Sequence, residues 1–109
     1  MLFLVLLSDE PKFNDLRHAL RDDRQLYLDS LAQSDHLIAE GAFADGGNLM
    51  VIDAGSPGDV IALLQGDPYV VQPVSNRIQI RPLQLTFVAP TIAQRNEEAN
   101  AHDPQQQEP

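Results

Sequence analysis

Apolar residues along this chain fall into short continuous runs and into stretches with helical spacing. Residues 2–7 are uniformly apolar, which is typical of a fully buried β-strand. A polar turn follows, and from residue 13 to residue 35 leucines recur close to i, i+3/i+4 spacing, which predicts helix. The spacing breaks at residues 21–24, so we expect Asp22 or Asp23 to cap a main helix that ends near residue 33.

Two strands joined by a tight turn are predicted next. In residues 36–44, alternation places the odd-numbered side chains on one strand face and the even-numbered side chains on the other. Residues 45–48 read Asp-Gly-Gly-Asn, a strong hairpin signal because glycine adopts positive φ at little cost. Residues 49–54 are therefore predicted to form a strand antiparallel to the preceding one.

A second helix and a last strand complete the pattern. Ser56 and Pro57 suit the N-cap and first position of this helix, and Gly66 suits its C-cap. A short helical segment follows, to about residue 72. In the last strand, residues 75–87, even-numbered side chains share one face and odd-numbered ones the other unless a bulge intervenes. Pro82 cannot donate to a neighbouring strand, so it marks an edge or a bulge.

The order β-α-β-β-α-β predicts a ferredoxin-like plait, an α+β fold. Its four strands form an antiparallel sheet, and both helices cover the same face of that sheet. The other face remains open, and a domain of about 90 residues builds only a small core. We therefore expect a homodimer in which two copies of the chain bring their open sheet faces together.

Length and composition fit one domain of this kind. The chain has 109 residues, 43% of them hydrophobic, which is the balance of a globular protein rather than a disordered one. After Ile92 no large apolar residue occurs. We therefore assign residues 1–92 to the domain and residues 93–109 to a flexible, polar, acidic tail. A solvated end is the simplest role of this tail, and a lid or a partner-binding arm is the alternative.

Charge and residue types exclude several classes of function. Seven basic and 16 acidic residues give a net charge of −9, which argues against nucleic acid and anionic membranes as partners. The absence of cysteine excludes disulfides, thiolate metal sites and cysteine nucleophiles. The three histidines lack metal-ligand spacing, and no phosphate-binding glycine motif occurs, so we expect neither metal nor cofactor. Residues 1–7 are too short to span a bilayer and lack a positive flank, which favours a cytoplasmic location.

One stretch of the chain carries a family resemblance. Asp67-Pro68-Tyr69 follows the second helix, and Arg81-Pro82-Leu83 stands near the end of the last strand. These elements resemble the C-terminal half of the YCII-related family, whose members carry DPY or DPF and then a strand ending near Lys-Pro-Phe. Residues 21–24 align with the family's R-x-x-H motif, and residues 37–42 resemble its second strand. The resemblance covers about residues 1–87.

The resemblance implies a dimeric α/β barrel akin to muconolactone isomerases and other small cofactor-free enzymes. It also implies a catalytic pair of His and Asp, and one type of member removes chloride from a chlorinated hydroxyquinol. In this chain the family's His position is occupied by Arg24. Arginine stays protonated and is no general base near neutral pH, but it holds an anionic ligand or stabilises an enolate.

Two residues are the candidates for catalysis. We expect Asp67 to move a proton and Arg24 to hold negative charge. Each also has a purely structural interpretation, since Asp67 suits a turn that caps the short helix and Arg24 suits a solvated helix face. An ion pair between them would serve binding or structure as readily as catalysis.

Four further residues are predicted to bind a ligand. Tyr69 and Ser8 would shape the pocket, Asp9 would line the same cleft, and His18 is the imidazole nearest in sequence to Arg24. Packing for the tyrosine and a plain turn for Ser8 and Asp9 are the alternatives. Glu40 interrupts an apolar strand and faces either the dimer interface or the cleft, and the sequence does not decide between them.

The function predicted from these residues is that of a small cofactor-independent lyase or isomerase. Its substrate would be small, anionic, and aromatic or enolisable. The alternative is a non-catalytic ligand-binding or accessory module on the same fold, which the arginine at the family's His position supports. An interaction domain that uses the acidic tail is a third interpretation.

Overall fold

The computed structural model describes residues 1–72 and 74–90, and it contains a four-stranded antiparallel sheet covered by helices on one face. The elements in chain order are β1 (Leu2–Asp9), a 3-10 turn (Pro11–Phe13), α1 (Asn14–Ala19), α2 (Arg21–Gln33), β2 (Leu37–Ala42), β3 (Asn48–Asp53), α3 (Pro57–Leu64), α4 (Pro68–Val71) and β4 (Ser75–Leu83). The strand order is β2-β3-β1-β4. The predicted ferredoxin-like α+β fold is therefore confirmed. The predicted tail, residues 93–109, lies outside the described residues.

The core lies between the sheet and its helices. Alternate side chains of β1, namely Phe3, Val5 and Leu7, point into it, and they are joined by Met50 and Ile52 from β3. The helices contribute apolar residues at helical spacing, which are Leu28, Val60 and Leu64. Burial of this kind stabilises the fold by about 25 cal/mol for each Å² of apolar surface removed from water.

The expectation that β1 is fully buried is wrong for half of its residues. Burial alternates along the strand, and Leu2, Leu4 and Leu6 are only half-buried. Leu4 stands opposite Val51, and Leu6 stands opposite Leu49, so these side chains share the sheet face that carries no helix. The uniformly apolar run thus reflects one face packed on the helices and a second apolar face that remains open.

A bulge in β2 changes which side chains face the helices. Leu37 stands opposite Ile52, whereas Ala39 stands opposite Val51, and the register shifts between them. The two odd-numbered residues therefore lie on opposite faces, contrary to the expected alternation, because a bulge inserts one extra residue into the strand. After the bulge Glu40 stands opposite the buried Met50, which turns its side chain toward the helices.

The last strand ends at Leu83 rather than at residue 87, and it follows the predicted alternation only from Arg77 onward, because a bulge places Ser75 and Arg77 on opposite faces. Ile78 and Ile80 stand opposite Leu7 and Val5 on the helix side. Pro82 belongs to β4, which is an edge strand, as expected for a residue without an amide hydrogen.

Helix ends are where the sequence predictions succeed and fail most clearly. Ser56 caps α3 as predicted, because its Oγ accepts a hydrogen bond from the Asp59 amide at 3.1 Å. This helix ends at Leu64 with Gln65 as its C-cap, so the prediction for Gly66 is wrong. In α2 the N-cap is Leu20, and no side chain caps it.

The two aspartates predicted to cap α2 have a different role. Asp22 and Asp23 lie inside its first turn. There their carboxylates interact favourably with the positive end of the helix dipole without capping the chain. Leu20, with φ of −91° and ψ of 1°, separates α1 from α2, so the main helix begins at Arg21, one residue before Asp22.

The predicted hairpin turn is present and needs its glycines. Gly46 and Gly47 have φ values of 107° and 91°. A Cβ on Gly47 would lie 2.5 Å from the Leu7 carbonyl oxygen. Glycine is thus required both for backbone conformation and for the close approach of the turn to β1.

In the part of the chain that the structure describes, no helix is long and apolar enough to cross a membrane.

Candidate functional site

An arginine–aspartate pair lies at the centre of the candidate site. Arg24 is on the inner face of α2, and only 4% of it is exposed. Its Nε and Nη2 donate to the two carboxylate oxygens of Asp67 at 3.0 Å and 3.2 Å. Such a two-point contact fixes the plane of the guanidinium as well as its position. The interpretation of Arg24 as a solvated helix charge is therefore wrong.

Asp67 also organises the chain around itself. It is the N-cap of α4, and its Oδ1 accepts a hydrogen bond from the Tyr69 amide at 2.9 Å. Its exposed fraction is 0%. The capping role and the ion pair with Arg24 thus coexist. Both carboxylate oxygens are engaged by protein donors.

A second carboxylate completes the cluster. Glu40 Oε2 accepts hydrogen bonds from Arg24 Nη1 at 2.8 Å and from Asn48 Nδ2 at 2.7 Å. The Glu40 side chain is 19% exposed. Its other oxygen, Oε1, accepts no hydrogen bond from any described residue and is not buried. The bulge in β2 thus decides what the sequence left open, because Glu40 faces the cleft and not the open sheet face.

A cavity of about 410 Å³ lies over this cluster. Glu40 and Asn48 from the sheet form one part of its wall. The basic side chains of α1 and α2 form another part, and they are Arg17, His18, Arg21 and Arg24. Three of the seven Lys and Arg residues of this acidic chain therefore line a single cavity.

Tyr69 packs between two of these arginines. The Cζ atoms of Arg24 and Arg17 lie 4.5 Å and 5.0 Å from the centre of its ring. Cations at these distances are attracted to the face of an aromatic ring. Arg17 also forms an ion pair with Asp9. Tyr69 is consequently both a buried packing residue and part of the cavity wall.

The predicted site residues have four different placements in the structure. Arg24, Tyr69 and His18 line the cavity. Asp67 lies behind Arg24 and does not line it, whereas Asp9 lines a neighbouring cavity of about 320 Å³. Ser8 is exposed and contributes to neither of these two cavities.

Eight residues that line the cavity were not predicted as site residues, and Arg17, Arg21, Glu40 and Asn48 are the ones that bear on its chemistry. Arg17 and Arg21 lie four residues apart, and Arg24 follows three residues later. In an uninterrupted helix this i, i+4, i+7 spacing would place the three arginines on one face, but α1 ends at Ala19, so the spacing is a signal only for Arg21 and Arg24 within α2. Glu40 had a weaker signal, a charge within an apolar strand. Asn48 had none, because its position directly after two glycines suits a turn equally well.

The charge of Arg24 is fixed by its surroundings. Burial lowers the pKa of its guanidinium, but the hydrogen bonds and negative charges of Asp67 and Glu40 outweigh burial and leave that pKa above its ordinary value. Arg24 is thus a permanent cation at the base of the cavity.

Within the described ranges, no three His, Cys, Asp or Glu side chains come together in a way that would hold a metal ion.

Tyr27 should make the fold sensitive to alkaline pH. Its hydroxyl donates to the Leu63 carbonyl at 2.8 Å. Burial, and then the charge of Asp67, raise the pKa of this phenol above its ordinary value of 10.0, although Arg24 opposes the shift. Because the folded chain holds the proton more tightly, this contribution to stability is fully present below pH 10.0 and is lost as the pH rises further.

The corresponding variant is Tyr27→Phe. We expect it to cost about 1 kcal/mol near pH 8 through the lost hydrogen bond. Above the unfolded-state pKa of tyrosine, the wild type should lose stability with pH more steeply than the variant. Urea unfolding at a series of alkaline pH values measures this difference, and parallel curves for the two proteins would contradict it.

Comparisons with known proteins agree with the fold and the resemblance. The sequence model of the YCII-related domain matches residues 1–84. Among solved structures, the chain is similar to 5-chloro-2-hydroxyhydroquinone dehydrochlorinase from Burkholderia phenoliruptrix AC1100 in complex with 2,5-dihydroxybenzoquinone, with a TM-score of 0.68. The two are 19% identical, and the match covers 77% of this chain and 94% of that one. At this identity the likeness shows a shared fold. A search of curated proteins found no match. The match to the domain model extends over most of the sequence, and the chain therefore belongs to the YCII-related domain family.

Proposed function

We propose that this chain is a small cofactor-independent enzyme of the lyase or isomerase type. Its substrate is a small, anionic, aromatic or enolisable compound that binds in the cavity over Arg24. The observation that carries the proposal is Arg21, an exposed arginine in the wall of a concave site that forms no ion pair with any described residue. The other two arginines of this wall are paired with carboxylates, so Arg21 supplies the positive charge that attracts an anion.

The cationic groups offer two kinds of contact to such a substrate. Arg21 is exposed and forms no ion pair with any described residue, so it is available to a carboxylate or phenolate. Arg24 uses four of its five N–H groups on Asp67, Glu40 and Met50. One Nη1 hydrogen is left over for a ligand oxygen. A fixed donor of this kind stabilises negative charge that develops during proton abstraction.

Proton transfer needs a carboxylate oxygen that reaches the substrate. Glu40 Oε1 is free and Glu40 lines the cavity, so we assign the proton-accepting role to it. Asp67 is buried and holds Arg24 in place, so it is a positioning residue in this scheme. The sequence predicted that Asp67 itself transfers the proton, and this prediction stays as the alternative to Glu40.

The chemistry balances without a cofactor. Glu40 takes a proton from the substrate, and the electron pair left behind either expels an anionic leaving group or moves onto a carbonyl oxygen. The first outcome is an elimination, after which Glu40 releases the proton to solvent. The second is an isomerisation, which is complete when Glu40 returns the proton to a different carbon of the enolate. The similar solved structure supports this class, since that protein is a dehydrochlorinase in complex with a dihydroxybenzoquinone.

A ligand screen with two matched variants tests the proposal. Phenols, quinols, lactones and small carboxylates are added to the wild type, Arg21→Gln and Arg77→Gln, and the unfolding temperature is measured. A compound at 100 times its dissociation constant stabilises the native chain by about 2.7 kcal/mol, which is readily seen. We expect Arg21→Gln to weaken the binding of anionic hits about tenfold, because it removes the unpaired cation of the cavity.

Arg77→Gln is the control. It removes the same charge from an exposed position on β4 that lies outside this cavity, and it should bind the hits as the wild type does. Turnover of each hit is then followed by NMR. Equal binding by all three proteins would contradict the placement of the substrate, and no binding by any compound would contradict the proposal itself.

A non-catalytic ligand-binding module is the second candidate function. It is favoured by the arginine that stands where the resemblance expects a histidine, and by the near-complete use of its N–H groups within the protein. The two functions differ in one observable. The module binds hits from the screen without converting them, whereas the enzyme forms product.

We also propose that the open sheet face is covered by a second copy of the chain. Leu4, Leu6, Leu49 and Val51 form an apolar patch on that face, at the two central strands of the sheet. Two identical patches related by a two-fold axis would bury each other. Sedimentation velocity should show a dimer of the wild type and a shift toward monomer in Leu4→Glu. A monomeric wild type at micromolar concentration would contradict this assembly.

A further inference from the structure

Asn48, a residue of the cavity wall, has a buried oxygen atom that no described protein group satisfies. Asn48 begins β3 and is 2% exposed. Its Nδ2 donates to Glu40 Oε2 at 2.7 Å, so its Oδ1 must be the atom turned away from that carboxylate. Among the described residues nothing donates a hydrogen bond to Oδ1, although it is buried. Buried acceptors are nearly always paired in native folds, and an exception needs a reason.

A second free acceptor lies beside it. Glu40 shares its Oε2 with Asn48 and Arg24, while its Oε1 accepts no hydrogen bond from any described residue. Both residues belong to the cavity wall, and both come from the sheet, from β2 and β3. The sheet side of the cavity thus carries two oxygen atoms that no described donor satisfies, together with one Nδ2 hydrogen of Asn48 that is not used on Glu40.

The helix side of the cavity has the opposite character. Arg17, His18, Arg21 and Arg24 come from α1 and α2. Arginine side chains have N–H donors and no acceptor. The two sides of the cavity therefore differ: the sheet side has unsatisfied acceptors, and the helix side has arginine donors.

We propose that this difference between the two sides selects the ligand and sets its orientation. The ligand is a small ring or enol that directs a hydroxyl group to Glu40 Oε1 and Asn48 Oδ1 and directs a negatively charged group to the helix side. This inference rests on the proposed function, since it concerns the same cavity. It goes further by naming two groups that the ligand carries and by assigning Asn48 to specificity.

Three aromatic acids test the orientation without any need for turnover. 4-Hydroxybenzoate carries a hydroxyl and a carboxylate at opposite ends of the ring. 4-Methoxybenzoate has no donor at that position, and 2-hydroxybenzoate engages its hydroxyl with its own carboxylate. We expect calorimetry on the full chain to show that 4-hydroxybenzoate binds about tenfold more tightly than the other two, as one good hydrogen bond allows.

Two variants and a matched control assign the effect to residues. Glu40→Gln presents an amide donor in place of the free oxygen, because its carbonyl oxygen takes over the contacts with Arg24 and Asn48. Asn48→Leu removes the buried acceptor and keeps the volume. Both should lose most of the tenfold preference for the hydroxyl. Asn14→Leu makes the same change at an exposed position of the same cavity and should keep that preference.

The outcomes separate this inference from the proposed function. If 4-hydroxy- and 4-methoxybenzoate bind the wild type equally, or if the preference survives in both Glu40→Gln and Asn48→Leu, the inference is overturned while the cavity remains an anion site. If none of the three acids binds, the inference is overturned, and the wider ligand screen described above then decides on the proposed function. Should either variant not fold, the comparison of the three acids on the wild type still decides.

Discussion

The variant Asp67→Asn is expected to lower the free energy of unfolding by about 3 kcal/mol, because it leaves the buried cation of Arg24 without its main counter-ion. The guanidinium would keep only Glu40, which is partly exposed, as a charged partner. Asparagine retains one oxygen for the Tyr69 amide, so the cap of α4 survives. Removal of one partner from a buried ion pair usually costs about 3 to 5 kcal/mol, and we therefore expect a loss at the lower end of this range.

The control for this loss is Asp29→Asn. Asp29 is exposed on α2 and accepts one hydrogen bond from Gln25, so the same chemical change there should stay within about 0.5 kcal/mol. Urea unfolding of the three proteins at pH 7 measures both effects. Equal stability of Asp67→Asn and wild type would mean that Arg24 does not depend on this carboxylate.

A paired replacement distinguishes stability from function. Arg24→Met combined with Asp67→Leu removes both charges, and exchange of a buried ion pair for apolar side chains is often close to neutral. We expect the double variant to be more stable than Asp67→Asn alone and to lose anion binding in the cavity. That result would indicate that the pair serves the site at some cost to the fold.

The variant Glu40→Gln is expected to have the largest effect on turnover. If Glu40 accepts the proton, its replacement by an amide should lower kcat by a factor of about 10² to 10⁴, which is the usual contribution of general base catalysis. Substrate affinity for the anionic end should change little, since Arg21 and His18 remain. The measurement uses a substrate found in the screen, under conditions in which all variants are folded.

Two comparisons make the result specific. Glu10→Gln changes a carboxylate outside the cavity and should leave kcat unaltered. Asp67→Asn should lose activity only to the extent that Arg24 moves out of its position in the cavity wall. Full turnover in Glu40→Gln together with a large loss in folded Asp67→Asn would return the proton-transfer role to Asp67.

Much of the fold could be predicted because its signals are local. The glycine turn, the Ser56 cap and the edge position of Pro82 each follow from the backbone preferences of single residues. The order of strands and helices then leaves few ways to build one sheet. The failed predictions, such as the caps at Asp22 and Gly66, concern helix ends, where one residue more or less depends on packing.

The candidate site was harder to predict because its contacts are distant in sequence. Arg24 and Asp67 are 43 residues apart, and nothing near Arg24 in the sequence distinguishes a buried ion pair from a solvated charge. The resemblance pointed to both positions, but not to Glu40 or Asn48. Glu40 depends on the bulge after Leu37, and a one-residue change of register moves a side chain to the other face of a sheet.

The amino-acid sequence by itself thus determined the class of fold, the order of elements and the acidic surface, because these depend on local preference, periodicity and composition. The family followed from the resemblance of a few motifs. Only the tertiary structure decided that Arg24 is buried between two carboxylates, that Glu40 faces the cleft, and that Asn48 leaves an oxygen unpaired. These features arise where strands and helices that are far apart in the chain meet. Their energies depend on burial and on geometry, which no single segment of sequence specifies.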